Sequence, residues 1–447
     1  MEVIRSNKGG QKILLDGYMY TKKSTRKACI WWSCVCSRTL QCKGSLKTSL
    51  TVEDPEIGAT HNHDPSPATT EVAKAKDNMK QLAAVTREKP AQLVTRTLTD
   101  ITEDARLRFP KEDAAKKTIR RVRSGQRPPV PDRLEDLVID GPWASTAGDD
   151  PEQFLFFDNG QAADCRIIAF ASPPAMRLLA AADTWFIDGN FAMAPRGFMQ
   201  LYVIRVPLGT TAVTTVYALL ERKSQQCYQD LFQAVVDYCE TLELPVPTPA
   251  TVLCDFEMAV IRALMAVLPL VVRVRIQGCF YHLTQATWGK IQELGLSPRY
   301  TADDDFKLFC GKLDGLAFLP INDVHDGMDS LMQHTPDGAQ ELVDYFNKTY
   351  VTGTYRRVQP LHGQVGINLQ HMPPRFPPEL WNVHDATING EPRTNNQCEG
   401  WNNRFFHLVG YNHPPIWTLI DAIKKEDCTV TTLIAQDLIG QPPQKLV

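Results

Sequence analysis

The 447-residue chain has no run of roughly 18 apolar residues, so no membrane-spanning helix and no membrane partner are expected. Its opening residues, MEVIRSNKGGQK, have no apolar core of the kind a secretory signal carries, and secretion is not expected. No internal repeat is present, which leaves out stacked-repeat architectures. An excess of one charge is also missing overall: 48 Lys and Arg stand against 51 Asp and Glu. The 12 cysteines form no dense framework; most stand singly within apolar segments and read as reduced, buried thiols. With 43% hydrophobic and 22% charged residues the composition is ordinary for a globular protein, and the length calls for two or three domains.

What is present is unevenly placed. The first 50 residues carry ten Lys and Arg, among them Lys22, Lys23, Arg26 and Lys27, against Glu2 and Asp16 alone. A second basic run extends from Lys116 to Arg127. A cationic front on a mildly acidic remainder suggests a polyanion partner at the N-terminal end.

Short β-type runs fill residues 1–66, punctuated by Gly17, Gly44 and Pro55. From Thr69 the period becomes helical, with Pro90 and Pro110 suited to the first turns of two further helices and Gly125 to the end of the last. This basic stretch, 67–150, reads equally as a helix-turn-helix-like DNA reader or as a solvated charged linker, and it runs into an extended RPPVPDR segment. Residues 151–300 alternate: three strands, a helix, a strand, a helix, a strand (from VVRVRIQG) and a helix, the pattern of an α/β domain with a mixed sheet covered on both faces. Amphipathic helices and a Pro-rich stretch fill 301–390, and C-terminal helices in 391–447 complete the core. The fold class is thus α/β, with a small β-rich unit in front.

That front unit contains a candidate metal site. Cys34 and Cys42 have seven residues between them, and His61 and His63 follow one residue apart. Two thiolates and two imidazoles suit tetrahedral Zn²⁺, and a β-rich unit of this size gains from a metal cross-link. Cys29 and Cys36 compete as ligands; Cys36, two residues from Cys34, would share its face in a strand. Trp31 and Trp32 read as core, with stacking of one of them on a base as the alternative.

This stretch resembles the FLYWCH zinc finger: an aromatic-Trp-x-Cys in Trp31, Trp32 and Cys34, then Cys42, then His61 and His63, with Leu15, Gly17, Tyr18 and Tyr20 matching upstream. The resemblance implies nucleic-acid or protein binding, hence DNA or other proteins as partners of the finger.

Two apolar strands end in acids, at Asp188 in FIDGNF and at Asp255 in VLCDFE. Strand ends in an α/β sheet are a usual place for chemistry, although either acid alone also reads as a turn or cap residue, and Asp255 could cap the next helix. Glu399 lies in TNNQCEGWNNRF, where Asn395 and Asn396 before it and Asn402 and Asn403 after it share its helix face. A solvated face explains that stretch equally well. Glu257 points away from Asp255 if helical, and Cys279 with His282 reads as local bracing rather than half a zinc site.

Together these residues resemble the catalytic domain of Mutator-like (MULE) transposases: the DGNF turn at Asp188, the strand-ending Asp255 before Ala259, the C-x-x-H of Cys279 and His282, and the TNNxxExxN of Thr394, Asn395, Asn396, Glu399 and Asn402. The resemblance implies a ribonuclease H-like core with a helical insertion. It implies DDE chemistry on DNA in the nucleus, with Asp188, Asp255 and Glu399 holding Mg²⁺ or Mn²⁺ for phosphodiester hydrolysis and strand transfer. An active enzyme would work as a homo-oligomer. The alternative is a domesticated, catalytically inactive zinc-finger regulator or interaction module.

Overall fold

The computed structural model describes all residues except 7–8, 27, 87, 269–273, 359–367 and 444–447. Lys27 of the basic front and Val271–Arg273 of the last expected strand lie outside the described residues. The chain divides into two compact units, Met1–Pro129 and Val130–Val447.

The first unit opens with a six-stranded sheet in sequential order: β1 (Glu2–Arg5), β2 (Gln11–Leu15), β3 (Tyr18–Arg26), β4 (Cys29–Cys34), β5 (Ser45–Thr48) and β6 (Glu56–Ile57). Every neighbour pair is antiparallel, as short connections allow. Alternation along β4 sends Ile30 and Trp32 inward with Ile13, Tyr20 and Leu46, and Trp32 Nε1 donates to Thr48 Oγ1 at 2.9 Å. Trp31 lies on the other face, half-buried beneath the Arg26 guanidinium. The two tryptophans therefore do different jobs, and only Trp32 fills the core.

Four helices follow in the same unit: α1 (Pro67–Val85), α2 (Pro90–Thr99), α3 (Glu103–Arg108) and α4 (Glu112–Ser124). They pack on one another around Met79, Ala83, Leu93, Val94, Ala115 and Ile119. Pro67 and Pro90 each begin a helix, where a missing N–H costs nothing. The stretch read as one helix after Pro90 is two, because Glu71 accepts from both the N–H and the hydroxyl of Thr102 and fixes a break there.

The second unit is built on a seven-stranded mixed sheet. Its strands are β7 (Leu155–Asp158), β8 (Ile167–Phe170), β9 (Thr184–Asn190), β10 (Gln200–Leu208), β11 (Thr211–Leu220), β12 (Thr251–Cys254) and β13 (Arg275–Gly278), in the order 13-12-9-10-11-8-7. β9, β10 and β11 form an antiparallel meander; β12 adds to β9, and β13 to β12, in parallel. The β10–β11 hairpin turns through Gly209 at φ +57°, the left-handed region a tight turn of this kind needs. β8 and then β7 extend the expected sheet beyond β11.

Helices cover both faces. α5 (Pro173–Ala180), α6 (Gln225–Thr241), α7 (Met258–Val267) and α8 (Phe280–Glu293) lie on the face of Ile187, Tyr202, Ile204 and Val216. The insertion follows as α9 (Ser297–Ala302), α10 (Asp304–Gly315), α11 (Val324–Gln333) and α12 (Gln340–Phe346), the unforeseen hairpin β14 (Thr354–Val358) with β15 (Asn368–Met372), then α13 (Pro378–Trp381) and α14 (His384–Ile388). Its core adjoins the same face. The opposite face, with Leu201, Val203, Tyr217 and Leu219, is covered by α15 (Asn396–Val409) and α16 (Ile416–Leu438) through Trp401, Phe405, Ile420 and Ile423. Odd and even positions of β10 thus belong to two different cores, the period-two signature of a sheet buried on both sides. Trp381 and Trp417 are also core residues. No helix among the described residues is long and apolar enough to cross a membrane.

Ten of the twelve cysteines are free, in keeping with the reading that most are reduced, but Cys165 and Cys227 are joined in a disulfide, not foreseen, that ties the segment before β8 to α6. The pair is separated by 62 positions and becomes adjacent only through the β8–β11–α6 arrangement.

Candidate functional site

In the finger, β4 ends at Cys34, and a tight turn over Val35–Ser37 carries the chain away before Cys42 returns. The ligand atoms of Cys34, Cys42, His61 and His63 all lie within 4.8 Å of one another. Cys34 Sγ is 3.3 Å from His63 Nε2, and Cys42 Sγ is 3.4 Å from His61 Nδ1. A tetrahedron with Zn–S near 2.3 Å and Zn–N near 2.0–2.1 Å has S···N edges of about 3.5 Å, so the donor set fits zinc. Backbone N–H groups of Cys36 and Gly44 donate to the two sulfurs, which favours thiolates. Each imidazole has its second nitrogen engaged: His61 Nε2 lies 2.8 Å from the Tyr20 hydroxyl, and His63 Nδ1 lies 3.0 Å from the Asp64 carbonyl. Those partners select the tautomer that points a lone pair at the metal. Tyr18 stacks on His61 at 3.7 Å. A side chain at Gly44 would overlap the His61 ring. Cys29 and Cys36 stand outside the set, Cys36 because the turn after Cys34 breaks the strand that would have kept it on the same face.

In the second unit, parity along the strands places the acids. Phe186 on β9 and Leu253 on β12 share a small core with Cys398 of α15. Asp188 lies two residues beyond Phe186 in the same strand and so follows onto the α15 face, while Asp255 comes just past the end of β12. β9 and β12 are in parallel register, Thr184 with Thr251 and Phe186 with Leu253, and Asp255 follows directly after β12 ends at Cys254. Burial first, then the neighbouring Asp255 carboxylate, push the Asp188 pKa up to about 6.

The start of α15 is fastened to the same strand. Asn395 Nδ2 donates to the Ile187 carbonyl at 3.0 Å, and Asn402 Nδ2 donates to Asp188 Oδ2 at 2.6 Å. Asn402 also accepts from Asn190 Nδ2 at 2.9 Å. Glu399 lies between these two anchors, four residues after one and three before the other, on the same helix face. The polar face seen in the sequence is therefore turned toward β9 at Asn395 and Asn402. Among the described residues, Asp188, Asp255 and Glu399 do not converge as tightly as the finger ligands.

Cys279 precedes α8, and its sulfur accepts from the Asn395 N–H at 3.1 Å. His282 Nδ1 lies 2.7 Å from Asp255 Oδ1. Burial alone would lower the His282 pKa, but hydrogen bonds to Asp255 and Cys279 prevail and push it up to about 10. These contacts tie the end of β12, α8 and the start of α15 together. Glu257 is engaged elsewhere: it pairs with Lys223 at 2.8 Å and accepts from the Tyr228 hydroxyl at 2.9 Å. Tyr228 in turn accepts from Gln200, whose side chain occupies the space a Cβ at Gly189 would need. Sequence reading missed this Lys223–Glu257–Tyr228–Gln200 chain, since its members come from distant segments.

Comparison with known families gives two matches. The FLYWCH zinc finger domain matches residues 3–63, which contain all four finger ligands. The MULE transposase domain matches residues 184–286, which contain Asp188, Asp255, Cys279 and His282 and stop before Glu399. No curated protein matches the chain. The chain therefore carries a FLYWCH zinc finger domain and, after it, a MULE transposase domain, the composition of a transposase-derived DNA-binding protein.

Proposed function

We propose that the protein acts on DNA in the nucleus, with the zinc finger contributing recognition and Asp188, Asp255 and Glu399 forming a DDE-type site for phosphodiester hydrolysis and strand transfer. The observation that carries this reading is that neighbouring parallel strands bring Asp188 and Asp255 to their ends, with Asp188 bonded to Asn402 on the helix that bears a third acid. An all-oxygen donor set suits hard divalent cations, and a buried carboxylate beside a second one is costly unless a cation compensates. Mg²⁺ or Mn²⁺ held there would lower the pKa of an attacking water and neutralise charge on the transferring phosphate. The chain's own residues orient the donors. Asn402 fixes one oxygen of Asp188, His282 holds Asp255, and Asn395 positions the first turn of α15 with Glu399. An active form works as a homo-oligomer.

A second reading keeps the fold and drops the reaction. One observation favours it: His282 Nδ1 lies 2.7 Å from Asp255 Oδ1, so a side chain of the protein itself already engages that carboxylate. The two are separated by incubating the zinc-loaded chain with DNA bearing the inverted repeats that flank its gene, with and without Mg²⁺. Mg²⁺-dependent nicking and joining, reduced by about 10²-fold or more in Asp188→Ala, Asp255→Ala and Glu399→Ala, supports the enzyme. DNA retention with no cleavage, unchanged in Asp188→Ala, supports the binder.

A further inference from the structure

Between the edge of the finger sheet and the helices of the same unit runs a groove that the zinc site does not explain. It consists of two adjoining cavities of about 620 and 230 Å³. Five cationic side chains line it: Arg5 from β1, Lys12 from β2, Lys76 and Lys80 from α1, and Arg121 from α4. The acid among the lining residues is Asp77, which accepts a hydrogen bond from Gln81 at 2.9 Å. Lys76 and Lys80 stand four residues apart on one helix face, a like-charge spacing that is unfavourable in a helix. Burial first and then Lys76 depress the Lys80 ammonium, with Asp77 opposing and Lys12 adding a smaller push, so like charges meet along the groove. Such crowding costs folding energy, and a polyanion seated in the groove removes that cost.

We infer that this groove is a docking channel for the phosphate backbone of duplex DNA, reading no base. Its cations come from four separate elements and are spread along an open channel too large for one phosphate. A row of separated cations matches a backbone that presents a negative charge every few ångströms. The channel also borders β1, the edge strand of the finger sheet. Backbone contacts there would fix the register of the finger on the duplex without specifying sequence.

The inference rests on the reading of the protein as a DNA binder, and the test separates the two. Binding of the zinc-loaded full chain to a labelled duplex of mixed sequence is followed by fluorescence anisotropy across a salt series. The variants are a groove triple, Lys76→Gln, Lys80→Gln and Arg121→Gln, and a control triple of equal charge change on exposed positions, Lys111→Gln, Lys117→Gln and Arg120→Gln. Thermal unfolding verifies that both variants fold. The expected result for the groove triple is affinity reduced about tenfold or more at 0.1 M salt on every sequence, with the slope of log K against log salt shallower by about two to three. The control triple should change little. Equal losses from both triples, or competition by polyglutamate as effective as by unlabelled duplex, would overturn the channel. Wild-type binding with no salt dependence would likewise overturn the channel, whereas no wild-type binding to any duplex would remove the DNA-binding reading itself.

Discussion

At the scale of single residues, the finger shows how a metal site depends on groups that never touch the metal. Tyr20 engages His61 Nε2, and Gly44 leaves room for the His61 ring. Tyr20→Phe is expected to weaken zinc binding by about 10–100-fold, read by competition with a chromogenic chelator, while leaving the fold of the loaded protein intact. Gly44→Ala should lose zinc more completely, because the ring has to move. The four ligands were legible in the sequence because zinc donors are few in kind and lie within a short stretch. The roles of Tyr20 and Gly44 were not, since both depend on where the His61 ring comes to rest. A second residue-scale expectation concerns Asp314, whose carboxyl burial pushes up to about 6 against the hydrogen bond from Thr287. The folded state therefore keeps a proton there that the unfolded chain releases near pH 4. Its contribution to stability is full below that pH and is lost as pH rises through about 6. Urea unfolding at pH 4.5 and 7 should show Asp314→Asn gaining on the wild type at the higher pH, by on the order of 2 kcal/mol.

At the scale of elements, α15 decides what the second unit can do. Its N-terminal turn hangs on Asn395, a buried side chain bonded to a carbonyl 208 positions away. Asn395→Ala should destabilise the unit by about 1–3 kcal/mol and loosen the position of Glu399, whereas Asn396→Ala, at an exposed site, should be near neutral. Chemical denaturation of the two variants distinguishes them. The strands and helices from β9 to α8 were readable from alternation and length, because a sheet buried on both faces leaves long apolar runs between clear helical periods. β7 and β8 were harder: each has four residues, too few to show a period. The β14–β15 hairpin carries Arg356, Arg357 and His371 on exposed strands, so no apolar alternation announces it. That α15 turns its asparagine face toward β9 could not be chosen over a solvated face from spacing alone, since the bonding partners lie on another strand.

At the scale of the whole molecule, the chain is two units with separate cores, and only the first contains the zinc ligands. Removal of zinc with a chelator should lower one unfolding transition by differential scanning calorimetry and leave the other in place. Brief trypsin treatment should cut first after Arg133, in the exposed, Pro-rich segment following α4, and release two protease-resistant fragments. A single transition that shifts as one with zinc would show that the units unfold together.

The late arrival of α15 and α16 has a consequence for biosynthesis. As the polypeptide leaves the ribosome, the meander β9–β11 emerges long before the helices that cover its Leu201, Val203, Tyr217 and Leu219 side. For that interval one flank of the sheet stays bare and sticky, and the anchors for Asp188 and Ile187 do not yet exist. A message truncated ahead of Asn395 should therefore yield aggregates, not a smaller working protein.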